Sequence, residues 1–145
     1  MSRFTIVSTV ALAALSSFAF AARAADEPSP FDGSWEVTLT CPPHHEDDDA
    51  KGYRQQFRAE VTDGLLDGTH GKEGEPSWHH LFGRIAPDGK AHLTLDGIVS
   101  NPAYAINNAQ RGKPYSYRVR ATFDGPTGTG QRLGKRKCSF DFRRR

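Results

Sequence analysis

Cysteine is scarce in this chain. Cys41 and Cys138 are the only two, and they stand near opposite ends of the sequence. That pair excludes a CxxC redox motif and a cysteine-built zinc site, both of which need closely spaced thiols. Long apolar runs are scarce as well. One covers Phe4–Phe20, and nothing after it is apolar enough to span a bilayer. Catalytic motifs are missing too. There is no Gly-x-Ser-x-Gly nucleophile elbow, no His-x-x-x-His and no calcium-loop pattern. These absences argue against an enzyme and leave no motif for a cofactor.

The apolar run has the layout of a secretory signal peptide. Arg3 supplies the positive start, and Ala22-Arg23-Ala24 gives the small-x-small cleavage pattern, with Ala19-Phe20-Ala21 as a second site. A membrane-anchoring helix is the alternative, but a run of about 17 residues is at the lower limit for spanning. The expectation is a signal peptide over 1–24, a mobile Pro-containing segment over 25–30 and one domain over 31–145. The address is then the periplasm or the exterior, with no transmembrane anchor after cleavage. Cleavage also changes the charge. The full chain has 19 basic and 17 acidic residues, and losing Arg3 and Arg23 leaves 17 of each. Without a basic surplus, a general nucleic-acid role has no electrostatic support. In an oxidising compartment, Cys41 and Cys138 are expected to form a disulfide.

Period-two alternation dominates from Phe31 onward, the mark of half-buried strands. Trp35, Val37, Leu39 and Cys41 alternate with Ser34, Glu36, Thr38 and Thr40, until Pro42-Pro43 ends the run. Tyr53, Gln55, Phe57, Ala59 and Val61 share a second face, with Arg54, Gln56, Arg58 and Glu60 opposite. Further strands are expected over 65–70, 77–85 and 91–96. Residues 99–114 read as a long loop with one helical turn. Tyr115, Tyr117, Val119, Ala121 and Phe123 then mark a strong strand. Residues 125–130 read as a Gly/Pro/Thr turn, and the last strands as 131–136 and 137–143. Asp-Gly pairs begin at 32, 63, 67, 88, 96 and 124. They suit the positive φ angles of tight hairpins, although not every pair need be one. The fold class is therefore all-β: an antiparallel up-and-down barrel or barrel-like sheet of about seven or eight strands. Cys41 and Cys138 share the apolar parity of the first and last strands, so their bond would close the fold from inside.

Gly33-Ser34-Trp35 resembles the Gly-x-Trp signature of the calycin barrels, which include lipocalins, avidins and small bacterial metalloprotease inhibitors. The resemblance implies that Trp35 closes one barrel end and that a late basic residue, Arg143 or Arg144, packs over it. The wider pattern Phe31-Asp32-Gly33-Ser34-Trp35-x-Val37-Thr38-Leu39-x-Cys41 also resembles small uncharacterised periplasmic proteins of Gram-negative bacteria. That second resemblance implies no activity.

Several groups bear on function. The presumed interior includes Trp35, Tyr53, Gln55, Phe57, Tyr115 and Tyr117. Aromatics with polar tips suit a small amphipathic ligand, or they fill a narrow barrel. His44-His45-Glu46-Asp47-Asp48-Asp49 is a solvated acidic loop or a weak metal site. His79 and His80 must point to opposite faces of their strand, and one could pair with His70 or His92. The basic residues Lys135, Arg136, Lys137 and Arg143–Arg145 form a solvated end or a surface for an anionic partner. The sequence thus favours an exported, non-enzymatic binding or accessory protein for a small amphipathic ligand. An inhibitor or adaptor docking on another exported protein is the alternative, followed by the weak metal binder.

Overall fold

A computed structural model describes residues 27–46 and 49–145. The expected signal peptide, Asp47 and Asp48 lie outside the described residues. Eight strands form a closed antiparallel barrel in which each strand pairs with the next in sequence and the last with the first. They are β1 (Gly33–Cys41), β2 (Tyr53–Thr62), β3 (Leu65–His70), β4 (His79–Ile85), β5 (Lys90–Ile98), β6 (Pro114–Asp124), β7 (Thr127–Arg132) and β8 (Ser139–Arg144). Among the described residues, no helix is long and apolar enough to cross a membrane.

The alternation explains why these segments close on themselves. Along β2, Phe57, Ala59 and Val61 are buried while Arg54, Gln56, Arg58 and Glu60 are exposed. Along β6, Tyr117, Val119, Ala121 and Phe123 are buried while Ser116, Arg118, Arg120 and Thr122 face water. Strands of this kind have one apolar face, and a barrel gathers such faces into one core without leaving an edge. Registers β1–β2 and β1–β8 run through Val37↔Phe57 and Val37↔Phe142.

Register also explains the disulfide. The β1–β8 ladder pairs Trp35 with Arg144 and Thr40 with Ser139. One step further sets Cys41 opposite Cys138, whose Cα atoms are 4.2 Å apart and whose sulfurs are bonded. Both residues are buried.

The two ends differ, and this difference positions the site. Three connections at one end are short hairpins, at Asp63-Gly64, 86–89 and Gly125-Pro126. At the other end lie the long connections 42–52, 71–78, 99–113 and 133–138. The short-turn end is plugged. Trp35 is fully buried and meets the Phe123 ring edge-on at 5.3 Å. Phe31 and Phe142 pack on Phe123 with centroids at 5.9 and 4.7 Å. The Trp35 indole donates from Nε1 to the Phe31 carbonyl at 2.9 Å. Arg144 lies over the Trp35 ring at 5.1 Å and donates to the Pro30 carbonyl. Of the two basic residues that the calycin resemblance offered, Arg144 takes this place. Ser29 and Pro30, at the end of the segment expected to be mobile, thus contact the barrel end.

Three expectations change. The strand expected over 131–136 is instead the end of β7 at Arg132 followed by the connection 133–138, because Leu133-Gly134 breaks the alternation. Residues 125–130 are not all turn, because β7 starts at Thr127. Its inward positions are Gly128, Gly130 and Arg132, so the apolar alternation that marks the other strands is missing. Glycine is required there: a Cβ on Gly128 would lie 2.8 Å from the Phe123 ring. The basic segment 135–137 is not a uniformly solvated end either. Lys135 and Lys137 are exposed, but Arg136 keeps only 2 % of its surface.

Candidate functional site

The long-loop end opens on a cavity of about 450 Å³, within the range of small-molecule sites. Tyr53 and Gln55 from β2, His79 from β4, Tyr115 and Tyr117 from β6 and Arg132 from β7 line it. The loop 99–113 supplies much of the rest of the wall through Val99, Tyr104, Ile106 and Ala109, with Ile98 of β5 and Arg136 beside it. That loop is organised by two short 3-10 turns, Pro102–Tyr104 and Ile106–Asn108. Asn101 caps the first by accepting from the Ala103 N–H at 2.9 Å.

Inward parity on β2 and β6 explains the tyrosine cluster. Tyr115 and Tyr117 are two residues apart on one face, and their rings stack with centroids at 6.0 Å. Tyr115 also fills the space above Gly97, its cross-strand partner on β5. A Cβ at Gly97 would collide with the Tyr115 ring, so this glycine lets the phenol lie flat against the sheet. Tyr53 meets Tyr104 edge-on at 6.3 Å. Burial raises the pKa of Tyr53, Tyr115 and Tyr117, which therefore stay neutral with their O–H donors intact.

Two arginines border the tyrosines. Arg132 stacks on Tyr117 with Cζ 4.1 Å from the ring centroid. Arg136 lies 5.2 Å from the Tyr53 centroid. Its guanidinium donates to Tyr104 O at 2.5 Å, Pro42 O at 2.9 Å and Lys51 O at 2.7 Å. It therefore fastens the 42–52 and 99–113 loops to the barrel mouth. A direct bond from Lys51 N–H to Ala103 O at 2.8 Å joins the same two loops.

His79 faces inward and His80 outward, as strand geometry requires. His79 packs edge-on against Phe57 at 4.8 Å and stacks on His70, its register partner, at 4.9 Å. His80 instead pairs with Asp67 at 3.1 Å on the outer face, where it continues a column with Trp78 and Phe82. Desolvation, helped by His70, lowers the His79 pKa from 6.5 to about 4. The unfolded chain therefore binds more protons than the folded chain between those values. Stability from this group is complete above pH 6.5 and is lost as pH falls towards 4, by up to about 3 kcal/mol. His79→Gln should flatten the dependence of unfolding free energy over that window, measured by urea titration at several pH values. An equally steep decline in the variant would assign it to other groups.

Of the six residues proposed for ligand contact, Tyr53, Gln55, Tyr115 and Tyr117 come together around the cavity. Trp35 and Phe57 do not line it. Trp35 belongs to the opposite plug, and Phe57 supports His79 from within the core. Sequence reasoning missed His79, Tyr104, Arg132 and Arg136 as neighbours of this site. Inward parity could have identified His79; Arg132 sits on β7, a strand without an apolar signal, and Tyr104 and the partners of Arg136 depend on how the loops fold back.

The described part of the acidic loop presents no comparable cluster. His44 is largely buried, and its backbone N–H donates to the Ala50 carbonyl at 2.9 Å. His45 is exposed and pairs with Asp49 at 3.2 Å. Among the described residues, no three His, Cys, Asp or Glu side chains are placed to hold one metal ion.

No family model, curated protein or solved structure matches the chain.

Proposed function

We propose that the mature protein is an exported, non-enzymatic binding protein that holds a small amphipathic ligand in the open end of its barrel. One observation carries this reading: the barrel is plugged at the Trp35 end and hollow at the tyrosine end. An eight-stranded barrel is only just wide enough for side chains to fill, so a cavity at one end follows from where the large residues are placed. The lining suits an amphipathic guest. Val99, Ile106 and tyrosine faces cover apolar surface, while phenol groups, Gln55 and His79 offer polar contacts. The interior disulfide supports an oxidising address, the periplasm or the exterior.

Native mass spectrometry of the folded protein with a mixed set of small amphipathic compounds tests this reading. One-to-one complexes are expected, each displaced by excess of another. A spectrum of unbound protein under all conditions would overturn it.

A further inference from the structure

The cavity is not evenly polar. Among the described residues its lining contains Arg54, Arg132, Arg136, tyrosines and a histidine, but no aspartate or glutamate, and Arg54 is exposed. Arg136 is occupied by loop carbonyls. Arg132 is different. Its guanidinium rests on the Tyr117 face, no ion pair joins it among the described residues, and its Nε is buried without a hydrogen-bond partner. Tyr117 keeps only 8 % of its surface, and its hydroxyl is likewise buried and unpartnered. The Arg132 charge also acts on Tyr53 and Tyr115, drawing their phenol pKa values down against the larger effect of burial. The Arg132 guanidinium and several phenol donors thus converge where, among the described residues, the wall supplies no matching carboxylate. Buried donors left without acceptors are unfavourable, so a guest that brings an acceptor gains more here than it would on an open surface.

We infer that the ligand is a small organic anion, a carboxylate on an apolar body, whose head group is received by Arg132 and Tyr117. This rests on the binding reading above and specifies its chemistry. A guanidinium presents its N–H groups in a planar fork that matches the two oxygens of a carboxylate. The apolar body then lies along Tyr115, Ile98 and Val99 towards the mouth.

Three compounds with one body and different heads provide the test: phenylbutyrate, phenylbutanol and phenylbutylamine, titrated calorimetrically into the protein. The acid should bind at least about tenfold tighter than the alcohol, and the amine weakest, as expected for a charge-assisted contact. Arg132→Gln should remove the preference for acid over alcohol while leaving alcohol binding in place, and Arg132→Lys should restore part of it. Tyr117→Phe keeps the ring under the guanidinium and should weaken the acid alone by several-fold. Thermal melting of each variant verifies the fold. Equal binding of acid and alcohol, or an undiminished preference in Arg132→Gln, would overturn the anion inference and leave the binding reading standing. If none of the three compounds binds, both fail.

Discussion

Replacing both cysteines, Cys41→Ala with Cys138→Ala, is expected to lower the unfolding free energy by about 4–5 kcal/mol, the loop-closure value for a bridge spanning about 100 residues. The structure explains why the effect should be this large. The bond joins the start of the chain to its end, so in the unfolded state it constrains nearly the whole domain. In the folded state it continues a ladder that β1 and β8 already form, so bonding needs no rearrangement. Because small domains are stable by only about 5–15 kcal/mol, the variant should be close to unfolding at physiological temperature. Urea unfolding of parent and variant, with and without reductant, measures the difference. A loss below about 1 kcal/mol would contradict the closure role.

The second large effect is expected at Arg136. Arg136→Met keeps an unbranched stem but removes the guanidinium, and with it the charge-assisted hydrogen bonds to the carbonyls of Tyr104, Pro42 and Lys51. Bonds to a charged donor contribute about 1.5–3 kcal/mol each and do not add fully, so a net loss of about 3–5 kcal/mol is expected. Lys137→Met, one residue away but exposed, should stay within about 0.5 kcal/mol of the parent. The two variants separate a structural guanidinium from a merely basic segment. Hydrogen exchange supplies a local readout: the Lys51 amide, bonded to Ala103 O, should lose protection in Arg136→Met. Unchanged protection there would mean that the loops hold without the guanidinium.

Arg136 also illustrates where sequence reading ends. Within Lys135-Arg136-Lys137, period-two parity places the arginine on the inner side with Cys138, yet a charge in a basic run reads as solvated. Only the long-range return of the 42–52 and 99–113 loops provides the carbonyls that make its burial tolerable. β7 was hidden for a related reason. A strand whose inner face is Gly128, Gly130 and Arg132 has no apolar signal, because the neighbouring Phe123 fills the volume that its own side chains leave. Where strands carry their own packing, as β1, β2 and β6 do, alternation was enough to identify both the element and its buried face. Asp-Gly pairs gave a mixed signal. Those at 63, 88 and 124 mark hairpin tips, whereas Asp67-Gly68 and Asp96-Gly97 lie inside β3 and β5. There the missing side chain makes room for Ala59 and Tyr115 across the ladder.

The candidate site was legible by halves. Parity placed Tyr53, Gln55, Tyr115 and Tyr117 on inner faces, and those four meet at one end. Parity carries no information about position along the barrel axis, which is why Trp35 and Phe57 entered the same group. Axial position is set by register and by which end carries the short hairpins.

Residue-resolved NMR of the folded protein, titrated with phenylbutyrate, tests the central claim most directly. Saturable shifts should concentrate on Tyr53, Gln55, Tyr115, Tyr117 and Arg132, with the Trp35 indole at the plugged end unmoved. Absence of saturable shifts, or shifts centred on the outer column of Trp78, His80 and Phe82, would contradict a ligand held inside the barrel.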